Sequence, residues 1–486
     1  MFFNSFNYAI FLLIVFILYW FVFNKKLKIQ NLFLLVCSYY FYSCWDRRFL
    51  ILLIFSTLLD FFSGIMIERH NNKRKRRFWL LLSIIINLGF LGFFKYYNFF
   101  IQSFAELLSN LGIKPHIWTL QIILPVGISF YTFHGLSYVI DIYKKRIPVE
   151  KNFVDYALFV SFFALLVAGP IERATHLLPQ LKKKRNFNYY QAVDGLRQIL
   201  WGLFKKIVIA DNCAHYVNII FDSSDTLSGS ELVTGAILFA FQIYGDFSGY
   251  SDIALGSSRL LGINLLKNFN YPYFSRDVAE FWRRWHISLS SWFKDYLYIP
   301  LGGSRGGTWM RIRNTFIIFL VSGFWHGANW TFIFWGGLNA LFIMPSIILK
   351  TNRHNLDIVA QGKKLPSLKE FTSILLTFII ITFAWIFFRS ENLHHAVSYI
   401  SKIFNADLFT VPFIQDRRKL FRIIVVFILI LFFLIIEWIG RENNYALEKL
   451  GNNWNFIIRW FFYSFIIFLI FMYMEIKGSP FIYFQF

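Results

Sequence analysis

Long apolar runs alternate with short basic clusters from one end of this chain to the other. The clearest runs are 7–23, 49–67, 78–94, 371–388, 419–438 and 454–474. A helix rises about 1.5 Å per residue, so roughly 20 apolar residues cross a hydrocarbon layer of about 30 Å. Each run therefore predicts a spanning helix. The expected fold class is all-α: a polytopic integral membrane protein of about eleven crossings, with re-entrant and interfacial helices around a central cavity. No Lys or Arg precedes the first run and no small-residue cleavage site follows it, so a retained helix is expected rather than a signal peptide.

The basic clusters are Lys25, Lys26 and Lys28, then Arg69 to Arg77, Lys144 to Arg146, and Lys182 to Arg185. Basic loops are held on the cytoplasmic side, so with a first helix ending at Lys25 and a third at Arg69–Arg77 the amino terminus is expected outside. The expected location is a membrane with the basic loops on its cytoplasmic face. One stretch breaks the alternation. Between the clusters at 144–146 and 182–185 lies a single apolar segment, 153–169, which would put the two clusters on opposite sides if it crossed fully. A re-entrant segment removes the conflict, and irregular backbone at that depth is tolerated only where protein buries it or a wet cavity receives it.

Composition agrees with this reading. Hydrophobic residues make up 57% of the 486, Phe alone numbers 63, and charged residues are 16%, well under the roughly 25% of soluble domains. A net charge of +22 would suggest a nucleic-acid partner in a soluble protein. Here the cations sit in loops between apolar runs, and no nucleic acid is expected. The three cysteines, Cys37, Cys44 and Cys213, lack CxxC spacing and are read as buried apolar filler, with no disulfide framework and no metal site. The chain is treated as one membrane domain, 1–486, with plain helices over 1–112 and 371–486 and the chemistry sought in 120–350.

Within that core, two regions carry polar residues at membrane depth. An ionisable residue there costs about 2.5–3.5 kcal/mol on insertion scales, so each asks for a reason. The first region is 242–259, where Asp246, Ser251 and Asp252 stand among glycines and serines. It predicts close helix packing with a break or kink, its carboxylates either paired with Arg259 or another base, or lining a cavity. The second is Gly323-Phe-Trp-His326-Gly-Ala-Asn329-Trp330. A neutral imidazole there keeps one ring nitrogen able to take a proton, as a general base must. Gly323 and Gly327 would let a substrate chain approach the backbone, and Trp325 and Trp330 offer flat walls.

Between the two lies a basic, aromatic stretch, 267–313, with Arg276, Arg283, Arg284, Lys294, Arg305, Arg311 and Arg313. Apolar residues at 278, 281, 282, 285, 289, 292, 293 and 296 follow helical spacing, predicting a helix along a membrane interface with His286 near its edge. Residues 302–306, Gly-Gly-Ser-Arg-Gly, match the form of a nucleophile elbow but lack a preceding strand, and are read as a hinge. There is no P-loop and no HExxH. His134 is a further intramembrane candidate, whereas His70, His354, His394 and His395 fall in polar loops.

Taken together, Trp282-Arg-Arg-Trp285-His286 with Ile-Ser-Leu-Ser-Ser-Trp after it, Gly323-Phe-Trp-His326-Gly, and Tyr244-Gly-Asp-Phe-Ser-Gly-Tyr-Ser-Asp252 resemble the membrane-bound O-acyltransferase family. Within it the chain resembles the bacterial branch that holds the membrane subunit of alginate O-acetyltransferase and, more distantly, the D-alanyl transfer protein of teichoic acids. Pro125-Val-Gly-Ile-Ser-Phe-Tyr-Thr-Phe and the closing Phe481-Ile-Tyr-Phe-Gln-Phe add to the likeness.

The resemblance implies transfer of an acyl group, acetyl in the first instance, to a hydroxyl of an extracytoplasmic polysaccharide or of an esterase-like partner acyltransferase. The donor would be a cytoplasmic thioester such as acetyl-CoA or an acyl carrier protein, with no bound cofactor. It implies His326 as general base and His286 as the second catalytic residue. Asp246, Ser251, Asp252, Trp282, Trp285, Trp325 and Asn329 would line the path, and Arg283, Arg284 and Lys294 would form a basic patch for the donor. A transporter using Asp246, Asp252 and His326 as a proton or substrate path is the alternative, against which stands the lack of two matching halves. A polyprenyl-dependent glycosyltransferase ranks last, since no sizeable acidic outer loop is present.

Overall fold

The computed structural model describes residues 1–113, 119–167, 169–413, 416–474 and 481–482. Every regular element among them is helical. Seven helices are long and apolar enough to cross a membrane: Arg47–Arg69, Lys73–Asn110, Gly229–Leu260, Trp330–Ile348, Leu368–Arg389, Arg417–Gly440 and Phe456–Tyr473. Five of them fall on five of the six clearest runs, and Gly229–Leu260 and Trp330–Ile348 lie in the polar core between. The sixth run, 7–23, forms the shorter apolar helix Phe6–Val22. By length and composition the described residues thus give seven candidates rather than about eleven. Ile128–Tyr143 is only 16 residues long, and Gly307–His326 begins with Arg311, Arg313 and Asn314 in its first half.

The chain divides into two compact units, one comprising Met1, Phe6–Ala192 and Ser257–Leu266, the other Phe2–Ser5, Val193–Gly256 and Lys267–Phe486. In the first, polar side chains tie helices together where water cannot. The Asp60 Oδ1 accepts from Ser83 Oγ at 2.6 Å and from Asn87 Nδ2 at 2.8 Å, joining Arg47–Arg69 to Lys73–Leu91. Caps start these helices: the Asp46 and Asn72 side chains accept from Arg48 N and Arg74 N.

The apolar segment 153–169 is not one span. It forms Phe153–Ser161, breaks at Phe162 (ψ 123°) and resumes as Phe163–Leu166, with Tyr156 to Leu166 all but inaccessible. The segment is thus a broken, buried apolar helix, shorter than the candidate spans. Gly127, at φ +73°, lets it approach, since a Cβ there would lie only 2.2 Å from Leu166 O. His134 lies here too, and its ring is satisfied. Nε2 accepts from the Glu172 N–H at 3.1 Å and Nδ1 faces Val160 O at 3.4 Å, so this imidazole holds backbone together.

Gly229–Leu260, in the second unit as far as Gly256, is a single helix of 32 residues. The break expected at 242–259 is absent. Its glycines instead admit a neighbouring backbone: a Cβ on Gly249 would lie 2.8 Å from Gly202 O, and one on Gly256 2.5 Å from Gly195 O. The neighbour runs as Tyr189–Leu203, a π-helical turn Phe204–Ala210, and Asp211–Asp222. Cys213 is buried as expected, whereas Cys44 is exposed.

Candidate functional site

The expected interfacial helix does not form. Val278–Arg284, capped by Asp277, and Ile287–Phe293 are separate short helices broken at Trp285 and His286. His286 takes the left-handed conformation (φ +43°, ψ +54°), a strain of order 1–3 kcal/mol for a residue other than glycine. Two backbone bonds hold the reversal, Asn270 N to Arg284 O and Ile287 N to Asn268 O, both 2.9 Å. The turn carries the imidazole inward, leaving it 1% exposed rather than on the surface.

Asn268 fixes the ring. Its Oδ1 accepts from Ser288 Oγ at 2.9 Å and from the Ser288 N–H at 3.4 Å, and it meets His286 Nδ1 at 3.0 Å. An atom that takes a backbone N–H is an oxygen, so the His286 Nδ1 carries the hydrogen and Nε2 has its lone pair. That Nε2 is buried with no hydrogen-bond partner among the described residues.

Around it the walls are aromatic. Phe247 meets the ring edge-on at 4.6 Å between centroids, and Trp325 stands at 5.9 Å. On the indole of Trp325, at 5.0 Å, packs His326, itself against Trp335 at 5.2 Å and Phe388 at 5.5 Å. One tryptophan therefore contacts both imidazoles, which lie 40 positions apart in sequence.

His326 ends the helix Gly307–His326, and Asn329 caps the helix Trp330–Ile348 that follows, accepting from Thr331 N at 3.0 Å and donating to Glu391 O at 2.7 Å. The hairpin closes tightly: a Cβ on Gly323 would be 2.2 Å from Phe332 O, and one on Gly327 2.1 Å from the Phe332 ring. These glycines admit the partner helix, not a substrate chain. Trp330 is exposed, so of the two expected walls only Trp325 faces inward.

The remaining candidates sort by their contacts. Trp282 donates from Nε1 to Asn339 Oδ1 at 3.2 Å, and Trp285 is enclosed by Phe269, Tyr244 and Trp385. Asp246 and Asp252 are ion-paired, not with Arg259 but with Lys206 at 2.7 Å and Lys205 at 2.6 Å. Lys206 also holds Asp211 at 2.7 Å, Gln198 donates to Asp252 at 2.8 Å, and Asp246 accepts from the Ile482 N–H at 2.6 Å. Beside this network, the Ser251 Oγ is buried with no partner among the described residues. Phe481 packs on Phe247 and Tyr250; the rest of the closing motif, Tyr483 to Phe486, lies outside the described residues.

The expected basic patch is largely committed within the protein. Arg283 donates to Asn352 O and Asn355 O at 2.7 and 2.8 Å, and Arg284 grips Glu280 through Nε and Nη2 at 3.0 and 2.7 Å. Lys294 alone of the three is exposed. Residues 299–306 form a turn before the next helix, and Ser304 Oγ meets Tyr298 OH at 3.0 Å, in keeping with a hinge. Among the described residues, no cluster of His, Cys, Asp or Glu could hold a metal ion.

Sequence reasoning missed Asn268, Lys205, Lys206 and Glu437, the last accepting from Tyr244 OH at 2.8 Å. Adjacent lysines within the apolar Phe204-Lys-Lys-Ile-Val-Ile-Ala were the available signal for two of them.

Residues 34–388 match the model of MBOAT, the membrane-bound O-acyltransferase family. The chain is 39% identical over 370 residues to a probable alginate O-acetylase of Pseudomonas aeruginosa, covering 76% of this chain and 68% of that protein. It is 39% identical over 402 residues to a peptidoglycan O-acetyltransferase of Helicobacter pylori, covering 77% and 74%. A teichoic acid D-alanyltransferase of Bacillus subtilis is 27% identical over 302 residues, covering 58% and 73%.

Proposed function

The chain belongs to the membrane-bound O-acyltransferase family and is an acyltransferase, and we propose that it moves an acetyl group from a cytoplasmic thioester to a hydroxyl on an extracytoplasmic polysaccharide or a partner acyltransferase. The observation that carries this reading is the pair of buried imidazoles, His286 and His326, packed on Trp325. Relatives named for acting on alginate and peptidoglycan support an envelope polymer as the acceptor class.

In this scheme the acceptor oxygen attacks the thioester carbonyl carbon while His326 takes the hydroxyl proton. The C–S bond then breaks, and the imidazolium returns the proton to the leaving thiolate. His286, its Nδ1 tied to Asn268, presents the Nε2 lone pair to the second reaction partner. Aromatic walls keep out water, which would otherwise compete for the thioester. Acetyl-CoA or an acyl carrier protein would serve as donor. With Arg283 and Arg284 bonded internally, donor recognition falls to exposed groups such as Lys294.

A transport path through Asp246 and Asp252 is not favoured, because both carboxylates are neutralised by buried lysines. The test is to replace His326 with Ala, match protein abundance in membranes, and measure polymer-bound acyl groups. A loss on the order of 10²–10⁴-fold is expected for a general base. Unchanged acylation would sink the proposal.

A further inference from the structure

In the first unit a cavity of about 460 Å³ opens where the helices Arg47–Arg69 and Ile128–Tyr143 end. It lies far in sequence from either catalytic histidine. Its lining includes Arg76, Lys145, Arg146, His70, Asn71 and Glu68. Three permanent cations face one carboxylate, and that carboxylate is occupied: Glu68 Oε1 accepts from the Val149 N–H at 3.1 Å.

The cations differ in how far the protein satisfies them. Arg76 donates from Nη2 to Tyr143 O at 2.8 Å and lies over the Tyr143 ring at 5.3 Å, while no acceptor among the described residues takes its buried Nε–H. Arg146 uses Nη1 on Asp141 at 3.0 Å. Lys145 is exposed.

Arg47–Arg69 and Lys73–Asn110 are both candidate spans, so the cavity sits beside the junction of two candidate crossings, where a spanning pair would meet lipid headgroups. The helix beginning at Lys73 opens with Lys-Arg-Lys-Arg-Arg and has no acid in its first turn. A helix amino terminus already carries partial positive charge, so such a start is unfavourable without an external anion. The same helix exposes Phe78, Leu81, Ile85 and Leu88, an apolar face suited to acyl chains.

We propose that this cavity binds the phosphate of an anionic phospholipid headgroup, with Arg76, Lys145 and Arg146 as its cationic wall. The cluster then holds a discrete lipid in addition to giving the loop a general charge. Basic side chains near an anionic lipid surface each contribute enough to change affinity about fivefold.

The test uses the purified full-length chain, delipidated in detergent and titrated with phosphatidylglycerol, phosphatidylcholine or inorganic pyrophosphate, with bound species counted by native mass spectrometry. Phosphatidylglycerol should bind as a discrete species in preference to phosphatidylcholine. Lys145→Gln should weaken it about fivefold, and Lys145→Gln with Arg146→Gln further. The control Lys363→Gln with Lys364→Gln, on an exposed loop of the other unit, should leave it unchanged. Equal retention of both lipids, equal weakening by the control pair, or binding of pyrophosphate without phosphatidylglycerol would each overturn the proposal.

Discussion

Replacing Lys206 with Met should destabilise the protein more than any other single lysine substitution in the second unit. The ammonium lies 2.7 Å from Asp246 and 2.7 Å from Asp211, and its side chain is 2% exposed against 3% for Asp246. Without it, Asp246 remains a buried carboxylate whose other partner is the Ile482 N–H. Breaking a buried pair by removing one member costs about 3–5 kcal/mol, mostly the desolvation of the charge left behind. The partner substitution Asp246→Asn removes that charge, so the double variant should be more stable than Lys206→Met alone. Denaturant midpoints followed by tryptophan fluorescence in detergent would give the cycle, with an expected coupling at or above about 3 kcal/mol. A Lys206→Met variant within about 1 kcal/mol of the parent, or a double variant equal to the sum of the singles, would refute the reasoning.

Further outcomes follow from single contacts. Asn268→Ala removes the acceptor that orients His286 Nδ1; acylation should fall by about 10-fold or more with folded protein retained, and Asn268→Asp, which keeps an oxygen acceptor, should recover part of it. Gly323→Ala sets a Cβ 2.2 Å from Phe332 O, so a stability loss of about 1–3 kcal/mol is expected in the same denaturant assay. His176 donates to Glu172 at 2.8 Å, and that bond holds its pKa above the ordinary 6.5. Its contribution to stability is complete below pH 6.5 and declines as pH rises through the raised value. His176→Gln should flatten that part of the stability profile, and an unchanged slope would contradict the assignment.

Much of this architecture is legible in the sequence, because spanning helices need long apolar runs and little else yields them. The expected 49–67 is the observed Arg47–Arg69, and 419–438 is Arg417–Gly440. The break at Phe162 was foreshadowed by the conflict between the basic clusters on either side of it. His286 was harder. Helical spacing continues through 285–289, and a period cannot register one inverted φ, so the residue read as the edge of a surface stripe. The pairing of Asp246 with Lys206 was hidden for another reason: it joins positions 40 apart on separate helices. Glycines at 249 and 256 announced close packing correctly, but without a Pro nothing forced the helix to break, and it runs on to Leu260. Arg283 and Arg284 read as surface charge because their acceptors, Asn352 O, Asn355 O and Glu280, are identifiable only in the folded chain.

If His286 and His326 form one site through Trp325, their losses do not multiply, and comparing the two single variants with the double decides it. Polymer-bound acyl groups would be measured for His326→Ala, His286→Ala and both together at matched membrane abundance. Residues acting as a unit are strongly non-additive. Each single variant should lose most of the activity, and the double should fall no lower than the worse single. Independent, multiplying losses, or full activity in either single variant, would contradict it.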